Sequence, residues 1–116
     1  MFRTKYTRTE RLAEALSVLN KHPDKIPVIC EPITPSTPPI NRSKYLVSGD
    51  LTVGQFLHCI RPRICSIRSD QALFLFVGDT RDSIPPTSAI MVNLYDQYRS
   101  TDGFLYIGYA IESTFG

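Results

Sequence analysis

The segment around Val53–Ile60 has the apolar spacing of a helix and lies between two pairs of strand-like segments. The first pair is Lys25–Glu31 and Lys44–Val47, and the second is Leu73–Val77 and Phe104–Tyr109. A helix between two strand pairs buries its apolar face best when the strands form one sheet against it. This order therefore predicts an α+β fold in which a four-stranded mixed sheet wraps around a helix, the β-grasp arrangement.

A further helix precedes this unit. Thr7-Arg8-Thr9-Glu10 has the pattern of a capping box, in which Thr7 and Glu10 each satisfy a backbone N–H of the other. The apolar residues that follow at helical spacing are Leu12, Ala15, Leu16 and Leu19. Pro23 predicts an end by His22, because the residue before proline avoids the helical region. We expect the core to include Leu12, Leu16, Leu19, Phe74 and Phe76.

Prolines and turn-forming residues set the other boundaries. Pro27 within the first strand predicts an edge position or a locally unpaired N–H. Four prolines predict that the dozen residues after this strand form a stiff, extended connection: Pro32, Pro35, Pro38 and Pro39. Leu73–Val77 is apolar on both faces, which predicts a central strand. A polar loop over Gly78–Pro86 then leads to a short helix, Thr87–Tyr98, before the last strand.

Length and composition favour one globular domain. The chain has 116 residues, of which 42% are hydrophobic and 21% charged, close to globular averages. We divide it into an N-terminal helical extension (1–22), a β-grasp core (23–110) and a C-terminal tail (111–116), and expect a monomer in solution. The net charge of +2 does not favour nucleic acid as a partner.

Basic residues nevertheless gather near the N-terminus. They are Arg3, Lys5, Arg8 and Arg11. Such a cluster is typical of a solvated helix face, and the alternative is a contact surface for an acidic protein or anionic lipid.

The three cysteines, Cys30, Cys59 and Cys65, have neither the even count of a disulfide framework nor zinc-ligand spacing. We therefore expect a reducing, cytoplasmic compartment, no metal and no cofactor. A catalytic reading would use His58 with Cys59, or Cys30 and Cys65 with His22 as a base. Helix neighbours point in different directions, so we expect no enzyme. The N-terminus lacks the apolar region of a signal peptide, and the longest apolar run, Ala72–Val77, is too short to span a bilayer.

Several motifs in order resemble one known family, the autophagy-related ubiquitin-like modifiers of the GABA-receptor-associated protein and microtubule-associated protein light chain type. The motifs are His22–Ile29 (HPDKIPVI), Lys44–Val47 (KYLV), Asp50–Phe56 (DLTVGQF), Ile60–Arg61, Arg63, Pro85–Thr87 (PPT), Asp102–Tyr106 (DGFLY) and the Phe115–Gly116 ending. The resemblance covers nearly the whole chain.

This resemblance implies a ubiquitin-like β-grasp fold and conjugation of Gly116 to phosphatidylethanolamine on autophagosomal membranes. The implied partners are an activating enzyme, a conjugating enzyme and a deconjugating cysteine protease. The resemblance also implies a lipid-anchored pool on autophagosomal membranes, whereas the expected cytoplasmic pool follows from the cysteines and the missing signal peptide. The sequence leaves open whether Gly116 is the natural C-terminus. A related modifier attached to a protein lysine and an unconjugated peptide-binding adaptor are the alternatives.

The resemblance also implies docking of receptor peptides with the pattern aromatic-x-x-aliphatic. The aromatic pocket would be formed by Glu14, Val18, Pro27, Ile29, Lys44, Leu46 and Phe104. The aliphatic pocket would be formed by Tyr45, Val47, Leu51, Phe56, Cys59 and Ile60. Lys25 and Arg63 would form a basic flank that attracts acidic residues beside the motif. Edge-strand addition to Lys44–Val47 would supply the main-chain hydrogen bonds.

The sequence departs from the family pattern at several positions. Cys59 replaces a larger aliphatic residue, Ser48 replaces a frequent proline, and Pro62 interrupts a basic helical stretch. The loop 78–84 is a few residues longer than usual, and the N-terminus is slightly shorter. These changes bear on the shape of the second pocket and on the direction of Arg63.

Overall fold

The computed structural model describes residues 1–80 and 82–113. Its helices are α1 (Phe2–Lys5), α2 (Arg8–Lys21), α3 (Val53–Ile60) and α4 (Met91–Tyr98), with a 3-10 helix at Arg61–Arg63. Its strands are β1 (Lys25–Pro32), β2 (Lys44–Ser48), β3 (Gln71–Val77) and β4 (Leu105–Ser113). Within the described residues, no helix is long and apolar enough to cross a membrane.

The four strands form one mixed sheet in the order β2-β1-β4-β3. β1 is antiparallel to β2 and parallel to β4, whereas β3 is antiparallel to β4. The parallel pair lies at the centre, as expected when the two hairpin-like units are joined by a crossover through α3. The predicted α+β architecture is confirmed.

Alternation along the strands gives the sheet two buried faces. Val28 of β1 and Ile107 of β4 lie on the face covered by α3 and α4, in a core with Val53, Phe56 and Ile60. The opposite face carries a smaller cluster beneath α1 and α2: Phe2, Ala15, Ile29, Phe104 and Tyr106. This smaller cluster holds α1 and α2 against the sheet, beside the edge formed by β2.

Both α2 and α3, the helices beside this edge, start with a capping box. Thr7 and Glu10 exchange side-chain and backbone hydrogen bonds at the start of α2. Thr52 and Gln55 do the same at the start of α3, an end that the sequence analysis placed by spacing alone. Each cap satisfies donors that a helix N-terminus otherwise leaves free.

The predicted central place of β3 is wrong, and of the two alternatives predicted for Pro27 the edge position is wrong. β3 is an edge strand, although its apolar character predicted a central one. Its second face is only partly covered, because α2 packs on β1, and Phe74 is 38% exposed. β1 is interior, and Pro27 is tolerated there because pairing with β4 begins only at Val28. The alternative of a locally unpaired position at Pro27 therefore describes β1 better than an edge does.

The predicted core also needs correction at α2. Leu16 is 54% exposed, so it lies on the solvent side of the helix. Leu12, Leu19 and Phe76 are only partly buried. Ala15 is the buried residue of α2, because the helix approaches the sheet closely at Gly103, where there is room only for small side chains.

One helix was not predicted, and the bounds of several elements differ from the prediction, most of all those of α4 and β4. α1 was not predicted, since a four-residue helix has no periodic signal. α4 begins at Met91 rather than Thr87, because Ile90 pairs with Thr52 in an isolated bridge. β4 continues through Ser113, so Ile111–Ser113 extends the sheet by pairing with β3.

Candidate functional site

β2 forms an open edge of the sheet, and its register shows which backbone groups face outward. Cys30 N–H donates to Ser43 O at 2.7 Å, and Gly49 N–H donates to Asp24 O at 3.2 Å. Hydrogen-bonded and non-hydrogen-bonded pairs alternate in an antiparallel ladder. The pairs Ile29–Lys44 and Pro27–Leu46 are thus non-hydrogen-bonded. The N–H and C=O groups of Lys44 and Leu46 therefore point away from β1, toward the open edge.

A cavity of about 230 Å³ lies beside this edge, between α2 and β2. Its lining residues are Glu14, Val18, Pro27, Arg42, Lys44, Tyr45, Leu46 and Phe104. The structure thus brings six of the seven residues assigned to the aromatic pocket around one cavity. The seventh, Ile29, is fully buried in the cluster beneath α2 and does not line the cavity.

Two cations and one carboxylate surround the cavity. Lys44 Nζ forms an ion pair with Glu14 across it. Arg42 Nε donates to the outward-facing Lys44 carbonyl at 3.2 Å. A half-exposed pair of this kind contributes about 0–1 kcal/mol. An acidic ligand can therefore replace Glu14 as the ion-pair partner of Lys44 at little cost in free energy.

Arg42 is a lining residue that sequence reasoning missed. It precedes Lys44 by two positions, and alternate residues of an extended segment share a face. That spacing was the available signal.

The floor of the cavity is supported by α1. Phe2 packs edge-on against Phe104, with ring centroids 5.0 Å apart. Its backbone N–H donates to the buried Glu31 carboxylate at 2.9 Å. The Arg3 guanidinium lies 3.7 Å from the centroid of the Tyr106 ring. Residues of α1 therefore support the floor of the candidate site.

A buried carboxylate joins α2 to the same floor. Asp102 Oδ2 accepts from Arg11 Nη1 at 2.6 Å and from the Tyr106 hydroxyl at 2.5 Å. Its Oδ1 accepts from Phe104 N–H at 3.0 Å. Burial and the hydrogen bond to Asp102 raise the pKa of Tyr106. This network fixes α2, which carries Glu14 and Val18, relative to Phe104.

The residues assigned to the aliphatic pocket lie on the other face of β2, against α3. Tyr45, Val47 and Leu51 are half-buried and Cys59 is exposed, whereas Phe56 and Ile60 are fully buried. Tyr45 packs edge-on against Phe56 at 5.8 Å, and burial raises its pKa to about 12. A ligand can reach the first four residues directly, but it reaches Phe56 and Ile60 only if side chains move.

The residues assigned to the basic flank lie apart from each other. Lys25 pairs with Ser48 at the far end of β2 from Lys44. Arg63 is exposed in the 3-10 helix that accommodates Pro62, and its carbonyl accepts from Asn41 N–H at 2.9 Å.

Of the N-terminal basic residues, two form ion pairs within the described part of the protein. Arg3 pairs with Asp79 of the long loop at 2.5 Å, and Arg11 pairs with Asp102. Lys5 and Arg8 are exposed.

The residues of the catalytic alternative do not form a recognisable centre. Cys30 is fully buried, whereas His22, His58, Cys59 and Cys65 are exposed. Among the residues that the structure describes, no three or more His, Cys, Asp or Glu side chains are arranged to hold a metal ion. Gly116 lies outside the described residues.

Comparison with known proteins gives one consistent family. A family model described as "Autophagy protein Atg8 ubiquitin like" matches residues 10–116. Autophagy-related protein 8 of Kluyveromyces lactis is 46% identical over 116 residues, which cover 99% of this chain and 90% of that protein. Autophagy-related protein 8d of Arabidopsis thaliana is 45% identical, with coverage of 99% and 93%. The crystal structure of Trypanosoma brucei ATG8 matches with a TM-score of 0.86 at 38% identity, covering 99% of this chain and 97% of that one.

Proposed function

Because the chain belongs to the Atg8 family of ubiquitin-like autophagy proteins, we propose that it is a modifier with two activities. It is conjugated through Gly116 to phosphatidylethanolamine on autophagosomal membranes. It also docks aromatic-x-x-aliphatic peptides of receptors and adaptors along β2. The observation that carries the docking proposal is the outward-facing backbone of Lys44 and Leu46 beside an open cavity.

The spacing of the peptide motif fits the geometry of this edge. In an extended chain, residues i and i+3 point to opposite faces. A peptide added to β2 would place its aromatic side chain on the α2 face, in the cavity lined by Lys44 and Leu46. Its aliphatic side chain would then lie on the α3 face, against Tyr45 and Val47. Main-chain bonds would give affinity, and the two faces would give selectivity.

The expected affinity is modest. An aromatic side chain buries about 150–250 Å², which at about 25 cal/mol per Å² is roughly 4–6 kcal/mol. The aliphatic residue adds to this, and ordering the peptide removes much of the gain. A dissociation constant near the micromolar level, about −8 kcal/mol, is the expected result. Many copies on one membrane would raise the avidity.

The conjugation proposal rests on family membership and on the C-terminal residue. Glycine has no Cβ, so its activated carboxylate is accessible to an attacking amine. An amide bond to a two-chain lipid anchors a protein firmly, whereas one acyl chain does so only marginally. In this proposal the protein acts as the conjugated species rather than as the enzyme. The activating enzyme, conjugating enzyme and deconjugating cysteine protease act on it.

Conjugation is tested by incubating the purified chain with ATP, the family's activating and conjugating enzymes, and vesicles that contain phosphatidylethanolamine. Intact mass is recorded beside a control that lacks Gly116. The proposal predicts a mass increase of one lipid in the full chain alone. A thioester without lipid transfer would favour a modifier of protein lysines. Neither product, with enzymes active on a close relative, would favour an unconjugated adaptor.

A further inference from the structure

The loop between β1 and β2 contains a tight turn rich in hydroxyl groups. Residues 34–37 read Thr-Pro-Ser-Thr, and Thr37 N–H donates to Thr34 O at 3.1 Å, which closes the turn. The Thr34 hydroxyl lies 3.0 Å from Ser36 Oγ and 2.9 Å from Thr37 Oγ1. Thr34, Pro35 and Ser36 are all exposed. Two hydroxyls, those of Thr34 and Ser36, are thus presented at the surface, outside the candidate peptide site.

The base of this turn is fixed by a buried tyrosine. Ile33 N–H donates to Tyr109 O at 2.9 Å, and the Tyr109 hydroxyl donates to Pro38 O at 2.5 Å. Tyr109 belongs to β4 and is fully buried in the core. The two bonds hold the chain on both sides of residues 34–37. The exposed residues therefore project from a rigid support and can be reached without unfolding of the domain.

Proline distinguishes one hydroxyl from the others. The chain contains two Thr-Pro dipeptides, Thr34-Pro35 and Thr37-Pro38, and no Ser-Pro dipeptide. The residue before a proline is driven toward extended backbone, and the proline presents no N–H. Protein kinases of the proline-directed class recognise these two properties. Thr37 is half-buried, and the carbonyl of Pro38 is bound by Tyr109, so this second dipeptide is less accessible.

We propose that Thr34 is a phosphorylation site for a proline-directed serine/threonine kinase. Thr34 Oγ1 attacks the γ-phosphorus of ATP, the new Oγ1–P bond forms as the bond to the β-γ bridging oxygen breaks, and ADP leaves. The hydroxyl proton passes to the base of the kinase. Ser36 and Thr37 are placed to donate to the phosphate oxygens. Once Thr34 Oγ1 has lost its proton, Ser36 and Thr37 must be the donors of both side-chain hydrogen bonds in the modified turn.

The added charge acts locally. A phosphothreonine carries about −1.5 to −2 charges, which brings the net charge of +2 close to zero. Thr34 lies two residues beyond the end of β1, and residues 34–37 neither line the candidate cavity nor belong to β2. The phosphate therefore forms a recognition element separate from the peptide edge, and the inference is independent of the function proposed above.

The test treats the purified full chain with ATP and an active proline-directed kinase, and locates phosphate by fragment mass spectrometry. Four variants are compared: Thr34→Ala, Pro35→Ala, Ser36→Ala and Thr37→Ala. Pro35→Ala is the matched control, because it keeps the acceptor hydroxyl and removes only the recognition element. We expect one phosphate on Thr34, and incorporation into Pro35→Ala slower by roughly tenfold, which is about 1.4 kcal/mol. Ser36→Ala and Thr37→Ala should retain phosphorylation of Thr34.

A synthetic peptide spanning residues 31–40 shows whether the folded turn is accessible. Phosphorylation of the peptide but not of the folded chain would overturn the proposal, as would phosphorylation of neither. Modification at Thr37 or Ser36 instead, or a rate unaffected by Pro35→Ala, would overturn it as well.

Discussion

Gly103 is the point at which α2 meets the sheet, and replacing it by alanine tests how that contact shapes the candidate site. Gly103 has φ of +92°, a conformation that other residues rarely adopt. A Cβ built on it would lie 2.8 Å from Ala15 Cβ, which is too close for two carbon atoms. Gly103 precedes Phe104 of the cavity floor, and Ala15 lies next to Glu14 in the cavity wall. The width of the cavity therefore depends on this close approach.

The cost of Gly103→Ala has two parts. Positive φ in a residue with a Cβ costs about 1–2 kcal/mol. The contact with Ala15 must be relieved by moving α2, and overpacking of this kind costs about 1–3 kcal/mol. We expect a total loss of roughly 2–5 kcal/mol in the free energy of unfolding, measured by urea denaturation. Displacement of α2 should also weaken binding of an aromatic-x-x-aliphatic peptide.

A second glycine separates the two parts. Gly78 has φ of +100°, but a Cβ there would lie 3.5 Å from the Tyr98 ring, an ordinary contact. Gly78→Ala should therefore lose only the conformational part, about 1–2 kcal/mol. Ala15→Gly should cost about 1 kcal/mol by helix propensity. It should also remove the additional loss of Gly103→Ala when the two are combined. The reasoning is refuted if Gly103→Ala costs no more than Gly78→Ala, or if the effects of Gly103→Ala and Ala15→Gly are additive.

Three further predictions concern residues around the edge. Phe2→Ala should lower the free energy of unfolding by about 3 kcal/mol, which is at the lower end for a buried phenylalanine because α1 is terminal and can shift. The same change should weaken peptide binding measured by calorimetry. An unchanged affinity would show that α1 does not support the cavity. Arg42→Gln should reduce the association rate of a peptide with acidic flanks and flatten its salt dependence in stopped-flow measurements, whereas an unchanged salt dependence would remove Arg42 from the site. The pKa of Tyr45 is about 12 in the folded state, against 10.0 for the free side chain. The contribution of the neutral hydroxyl to stability is therefore complete below pH 10 and is lost as the pH rises from 10 to 12. Tyr45→Phe should therefore lose less stability than the parent chain between those pH values in urea denaturation, and parallel losses would contradict the assignment.

The local signals that the sequence carries explain which parts of the fold could be predicted. Capping residues and helical spacing define α2 and α3, because both depend on neighbours within a few residues. The order of strands is not local information. The apolar run of β3 is typical of a strand that is buried on both faces, but an edge strand whose second face is only partly covered has the same composition.

In the candidate site too, some features could be predicted from the sequence, and contacts between residues distant in sequence could not. Resemblance to a family placed Glu14, Lys44 and Phe104 at one pocket, and the structure brings them around one cavity. The support that Phe2 gives to Phe104 could not be predicted, since contacts distant in sequence have no periodic pattern. The outward direction of the Lys44 and Leu46 backbone follows from the register between β1 and β2. The sequence does not show that Leu46 is the residue opposite Pro27, so this direction could not be predicted.

Amide hydrogen exchange at β2 tests strand addition most directly, and NMR resolves each residue. In the free protein, the N–H groups of Tyr45 and Val47 face β1, whereas those of Lys44 and Leu46 face the open edge. With a saturating aromatic-x-x-aliphatic peptide, exchange should slow at Lys44 and Leu46, with little change at Tyr45 and Val47. Binding without slower exchange at Lys44 and Leu46 would contradict strand addition and move the peptide site away from this edge.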